Sequence, residues 1–63
     1  MHSLRETQKE YAHEYYLMGN ECIAKDHDAN AAIRCFDKAL NLNPNYVEAW
    51  VRKGVTLLDI GED

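Results

Sequence analysis

Ala29-Asn30-Ala31-Ala32-Ile33-Arg34-Cys35-Phe36-Asp37-Lys38-Ala39-Leu40-Asn41-Leu42-Asn43-Pro44 is the stretch that decides the fold. Ala29, Ala32, Ile33, Phe36, Ala39 and Leu40 recur at i, i+3, i+4, i+7, i+10 and i+11, an amphipathic helix of about four turns. Asp28 stands in front of it as an N-cap, whose carboxylate can accept orphan N–H groups of the first turn. Asn43-Pro44 ends it, because the residue before proline avoids the α region. Upstream, Ser3 and Glu6 form a capping-box pattern that starts a helix near Leu4. Tyr11, Tyr15, Met18 and Cys22 follow at helical spacing, widened by Tyr16, Ile23 and Leu4, with Arg5, Lys9, Glu21 and Lys25 opposite. This helix runs from about 4 to 25, and Asp26-His27-Asp28 breaks it. Downstream, Asn45 with Glu48 resembles a second capping box. The third helix carries Trp50, Val51, Gly54, Val55, Leu57, Leu58 and Ile60, and Gly61 stands where a left-handed C-terminal residue is wanted. Connections of about three residues force antiparallel hairpins. The fold class is all-α.

Composition narrows the function. The 63 residues amount to 7.3 kDa, one small domain at most. Hydrophobic residues are 46% and charged residues 29% of the chain, an ordinary globular balance that argues against disorder. A net charge of −4 makes a poor nucleic-acid binder, since phosphate neutralisation needs a basic surface. No apolar run approaches the ~20 residues of a membrane span, and the first residues lack a signal-peptide stretch. Two cysteines are too few to staple a secreted mini-protein. The expectation is a reduced, cytoplasmic, helical domain with no membrane or nucleic-acid partner.

The chain repeats itself. Tyr15 and Trp50 are 35 residues apart, as are Gly19 and Gly54, Cys22 and Leu57, and Ile23 and Leu58. The third helix is a second copy of the first. Tyr15-x2-Met18-Gly19-x2-Cys22, then Ala32-x3-Phe36-x2-Ala39, then Pro44, then Trp50-x2-Lys53-Gly54-x2-Leu57 resembles the tetratricopeptide repeat pattern. The resemblance covers about 12–63. The period is 35 rather than 34, Cys22 replaces an aromatic residue, and Lys53 replaces leucine. The resemblance implies a helix-turn-helix solenoid fragment of about one and a half repeats. Its parts would be an N-terminal helical extension (1–11), a complete repeat (12–45) and the first helix of a second, truncated repeat (46–63). Mid-helix glycine costs roughly 1 kcal/mol against alanine. Close helix approach at Gly19 and Gly54 should offset that, with Ala32 and Ala39 as small partners and Tyr15, Phe36 and Trp50 filling the surrounding gaps. The core set is therefore Tyr15, Met18, Gly19, Cys22, Ala32, Phe36, Ala39, Pro44, Trp50 and Gly54.

Chemistry-bearing patterns are sparse. Glu10-x2-His13 with Glu14 is one half of a carboxylate-bridged metal motif, which needs several more ligands; a solvated helix face is the preferred reading. Glu6, Glu10 and Glu14 repel at i, i+4. Cys22 and Cys35 lie on hairpin partners, where packing, a disulfide, a redox pair and a metal are all open; the place of Cys22 on the apolar stripe favours packing. No phosphate loop and no nucleophilic set is present, so neither an enzyme nor a cofactor or metal is expected, and His2, His13 and His27 are expected to face solvent.

In the tetratricopeptide family the first helices of repeats line a concave peptide groove. The resemblance implies a groove here from His13, Tyr16, Asn20, Ile23, Glu48, Val51, Arg52, Val55 and Leu58. Asn20 matches an asparagine that some members use to hold a peptide carboxylate. The lysine expected one turn earlier is Tyr16, and the third repeat of such a clamp is absent, so a common post-glycine residue is the preferred reading of Asn20. The leading expectation is a protein-interaction module that binds a peptide or partner protein, weakly because the groove is small. The alternative is self-assembly through the third helix, where Val47, Val51, Val55, Leu58 and Ile60 beside Trp50 give more apolar surface than one neighbour covers.

Overall fold

The computed structural model describes residues 4–61. Among them are three helices, α1 (Leu4–Asp26), α2 (Ala29–Leu42) and α3 (Val47–Gly61). The capping box at Ser3 lies outside the described residues. Helix α2 packs on both neighbours as the middle member of two successive antiparallel hairpins. Its start is set as its sequence dictates, with the Ala31 N–H donating to Asp28 Oδ1 at 3.1 Å. Its end is closed by the Asn43 N–H on the Ala39 carbonyl at 2.8 Å.

Two local expectations differ from the structure. Helix α3 begins at Val47, with the Trp50 N–H donating to the Tyr46 carbonyl. Asn45 contributes only its own backbone N–H, which donates to Asn43 Oδ1 at 3.3 Å. The turn is thus stitched by Asn43, which reaches over Pro44 as a short polar side chain can. Gly61 is the last helical residue of α3, and no described glycine has positive φ. The left-handed position is instead at His27, with φ of 51°. Asp28, next in line, donates its N–H to the Cys22 carbonyl at 3.0 Å and so closes the turn between α1 and α2.

The core is narrower than the apolar stripes suggest. Ala12, Ala32, Phe36, Ala39 and Ala49 are fully buried, and Leu40 nearly so. Ala12, Ala39, Leu40 and Ala49 form one cluster that joins all three helices, with Tyr15, Tyr16, Leu42 and Tyr46 packed around it. On α1 the buried seam follows the small residues Ala12 and Gly19, one heptad apart. Tyr11 and Met18, expected on the stripe, are half exposed along its edge. Helices approach most closely where side chains are smallest, so the large residues are displaced to the flanks. Gly19 is packed against the Phe36 ring itself rather than against Ala32 or Ala39. Trp50, expected in the core, is 52% exposed, and nothing lies within 4 Å of a side chain built on Gly54. Trp50 lies beside Leu40 and Pro44 at the edge of the α2–α3 contact, whereas Gly54 faces open space. Thr56 is buried, and its hydroxyl donates to the Arg52 carbonyl one turn back at 2.7 Å, which satisfies it.

Candidate functional site

The nine groove positions fall into two groups. On α1, His13 and Tyr16 are drawn together around Tyr46, the residue that leads into α3. His13 Nδ1 and the Tyr46 hydroxyl are hydrogen-bonded at 2.9 Å. The Tyr16 ring lies 5.1 Å from Tyr46, 5.9 Å from Phe36 and 6.5 Å from His13, centroid to centroid. Offset aromatic contacts of this kind add to simple burial. They hold Tyr16 half-buried as a fixed wall between α1 and α3. Desolvation lifts the Tyr46 phenol above its usual 10.0, with the neighbouring Glu48 and Tyr16 adding to it.

Further along α1, Asn20 and Ile23 are half-buried. Asn20 Oδ1 is buried and has no hydrogen-bond partner among the described residues. A buried acceptor left unmatched is costly, so this oxygen calls for a donor. On α3, Val51, Val55 and Leu58 stand out in solvent at 58%, 47% and 69% exposure, with Glu48 and Arg52 exposed on adjoining positions. Tyr46, at the entry to α3, is where His13 and Tyr16 reach that helix.

Sequence reasoning missed Tyr46, which organises the site. Its signal was available, since Tyr46 stands 35 residues after Tyr11 in the repeat register. It also missed the ion pair of Lys53 with Asp37 at 2.6 Å, which ties α3 to α2, and the Trp50 Nε1–H bond to the Pro44 carbonyl at 2.9 Å. Lys53 stands where the repeat pattern has leucine, and the partner on α2 accounts for the change.

The two cysteines are free and partly buried. Partial burial raises the Cys22 thiol above its usual 9.0, and the adjacent Cys35 adds to the rise. Cys22 is therefore a protonated, weakly nucleophilic thiol near neutrality. Among the described residues, no three His, Cys, Asp or Glu side chains come together as a metal site. Among the described residues, no helix is long and apolar enough to cross a membrane.

The family model for the tetratricopeptide repeat matches residues 35–63, from the middle of α2 through α3. The chain carries a tetratricopeptide repeat. The match spans the later part of a second helix, the proline turn and the first helix of the following unit. The chain is also similar to an uncharacterised protein of Methanocaldococcus jannaschii, 35% identical over 48 residues. That alignment covers 76% of this chain and 56% of the relative, so the chain spans about half the relative's length. No solved structure matches. Tetratricopeptide repeats as a family are protein-interaction modules.

Proposed function

We propose that the chain binds an extended peptide or a partner segment along α1 and α3. The observation that carries the reading is the exposed aliphatic row of Val51, Val55 and Leu58. Contiguous apolar side chains on a small soluble domain mark interaction surfaces. Tyr16, fixed by Tyr46 and Phe36, forms the wall at one end. Arg52 and Glu48 set orientation. A reducing, cytoplasmic setting belongs to this reading and keeps Cys22 and Cys35 as thiols.

The test is selection from a displayed random-peptide library on the full chain, followed by titration of the enriched peptides. Val51→Asp with Val55→Asp should weaken them at least about tenfold, some 1.4 kcal/mol, with the helical signal unchanged. Enriched peptides that bind the double variant equally well, or no enrichment at all, would remove the proposal. Self-assembly is the second reading, favoured by the exposure of Val47 on the same row. Sedimentation equilibrium decides it: a mass fixed at 7.3 kDa over a wide concentration range excludes it.

A further inference from the structure

Gly19 is a socket, and the Phe36 ring fills it so closely that an added Cβ would sit 2.5 to 2.9 Å from three ring atoms. One turn earlier on α1, the centre of the Tyr15 ring lies 5.6 Å from the Lys38 ammonium of α2. These two contacts fix the antiparallel register of α1 and α2. Onward along α1, the next residue on that face is Cys22; back along α2, the residue before Phe36 is Cys35. The two thiols meet there, with the Cys22 side chain hydrogen-bonded to that of Cys35. Their meeting is held from two sides. On one side Phe36 is seated in its socket. On the other, the Asp28 N–H bonds the Cys22 carbonyl at 3.0 Å and closes the turn. Both cysteines are only partly buried, so a small oxidant can reach them.

We propose that Cys22 and Cys35 form a reversible intramolecular disulfide, a clasp across the α1–α2 hairpin that closes when a small organic disulfide is supplied. The thiolate of one cysteine attacks a sulfur of the organic disulfide and expels the first small thiolate, leaving a mixed disulfide on the protein. The second cysteine, as its thiolate, attacks the protein-bound sulfur and expels the other small thiolate. The cysteine pair loses two electrons, the organic disulfide is reduced to two thiols, and the two cysteine protons end on those thiols. An excess of the small thiol runs the same steps backwards. Partial burial, with Cys35 beside it, holds the Cys22 thiol above its usual 9.0. Exchange at such a thiol is slow near neutrality, so closure should quicken as pH rises towards 9. The two residues are 13 apart in the chain, and joining them removes freedom from the unfolded state. The clasp ties α1 to α2 and leaves α3, with Val51, Val55 and Leu58, outside it.

The test equilibrates the full, reduced chain in glutathione buffers of rising oxidised content, followed by an acid quench and intact mass spectrometry. The expected product is a monomer two hydrogens lighter, with both thiols lost together and no lasting glutathione adduct. Its thermal midpoint should rise by roughly 5 °C or more. In concentrated urea, the same extent of closure should need at least about tenfold more oxidised glutathione at fixed reduced glutathione, because the helices no longer bring the thiols together. Cys35→Ser should show no gain in midpoint under the same oxidation. Thiols that stay free in fully oxidised glutathione would overturn the proposal. So would adducts that persist on both cysteines, or disulfide-linked dimers in place of the closed monomer. Closure as easy in urea as in buffer would reduce the pair to chance neighbours in sequence. A closed monomer with an unchanged or lower midpoint, or a gain that survives in Cys35→Ser, would likewise sink it.

Discussion

A methyl group added at Gly19 would lie 2.5 Å from Phe36 Cε1, inside a ring that is fully buried and cannot swing away. Gly19→Ala is therefore overpacking, and should cost about 1–3 kcal/mol. The same change at Gly54 meets open space, removes a flexible residue from an exposed helix interior, and should gain up to about 1 kcal/mol. In thermal unfolding the two variants should move the midpoint in opposite directions; movement in the same direction would contradict the socket geometry. The pairing of the glycines was legible in the sequence, because a spacing of 35 residues repeats at four positions. Which glycine was filled was not legible. That depends on what stands opposite each one in space, and the repeat register alone treats them as equals.

Helix α2 was the most readable element, because one face holds Ala29, Ala32, Ala39, Phe36 and Leu40 and each end carries a polar or proline stop. Asp28 is its cap in fact as in pattern. Asp28→Ala should cost about 1 kcal/mol, whereas Asn45→Ala should change stability by only a few tenths, since the Asn45 side chain caps nothing. Equal losses from the two substitutions would restore the capping-box reading of α3. Helix α1 was harder to read. Its large residues, Tyr11 and Met18, suggested the seam, while the buried line follows Ala12 and Gly19. Small residues carry little hydrophobic signal, so a stripe read from hydropathy lands beside the true crossing line. The groove positions came from family likeness alone. Residue identity could not announce that Tyr46 joins His13 and Tyr16, because that contact spans 33 residues of sequence.

The molecule measures 48 × 21 × 13 Å, with a radius of gyration of 12.1 Å. A sphere-like chain of this length would have about 10.6 Å. Its shortest dimension is close to one helix diameter of about 10–12 Å. A slab one helix thick has two outer faces and almost no interior. This is why Phe36 is the largest fully buried side chain and why long apolar residues line the surface. Stability should therefore be low and sensitive to small terms. Cys22 and Tyr46 both hold their protons more tightly folded than unfolded. The folded state binds more protons wherever the unfolded thiol or phenol has begun to ionise, so stability falls as pH rises from about 9 upward. Cys22→Ser should flatten the lower part of that decline. A midpoint that stays level from pH 8 to 11 would show that neither group is coupled to folding.

The order of contacts, α1 on α2 and α2 on α3, has a kinetic side. Every hairpin forms between segments adjacent in sequence, so little loop entropy is spent before packing begins, and folding should be fast. The same arrangement lets the ends peel. Release of α3 breaks the Lys53–Asp37 pair and uncovers Ala49 while leaving Phe36 seated on Gly19. Amide protons of 47–61 should then exchange with solvent through a partial opening, well before those of 29–42, which wait for the whole chain to come apart.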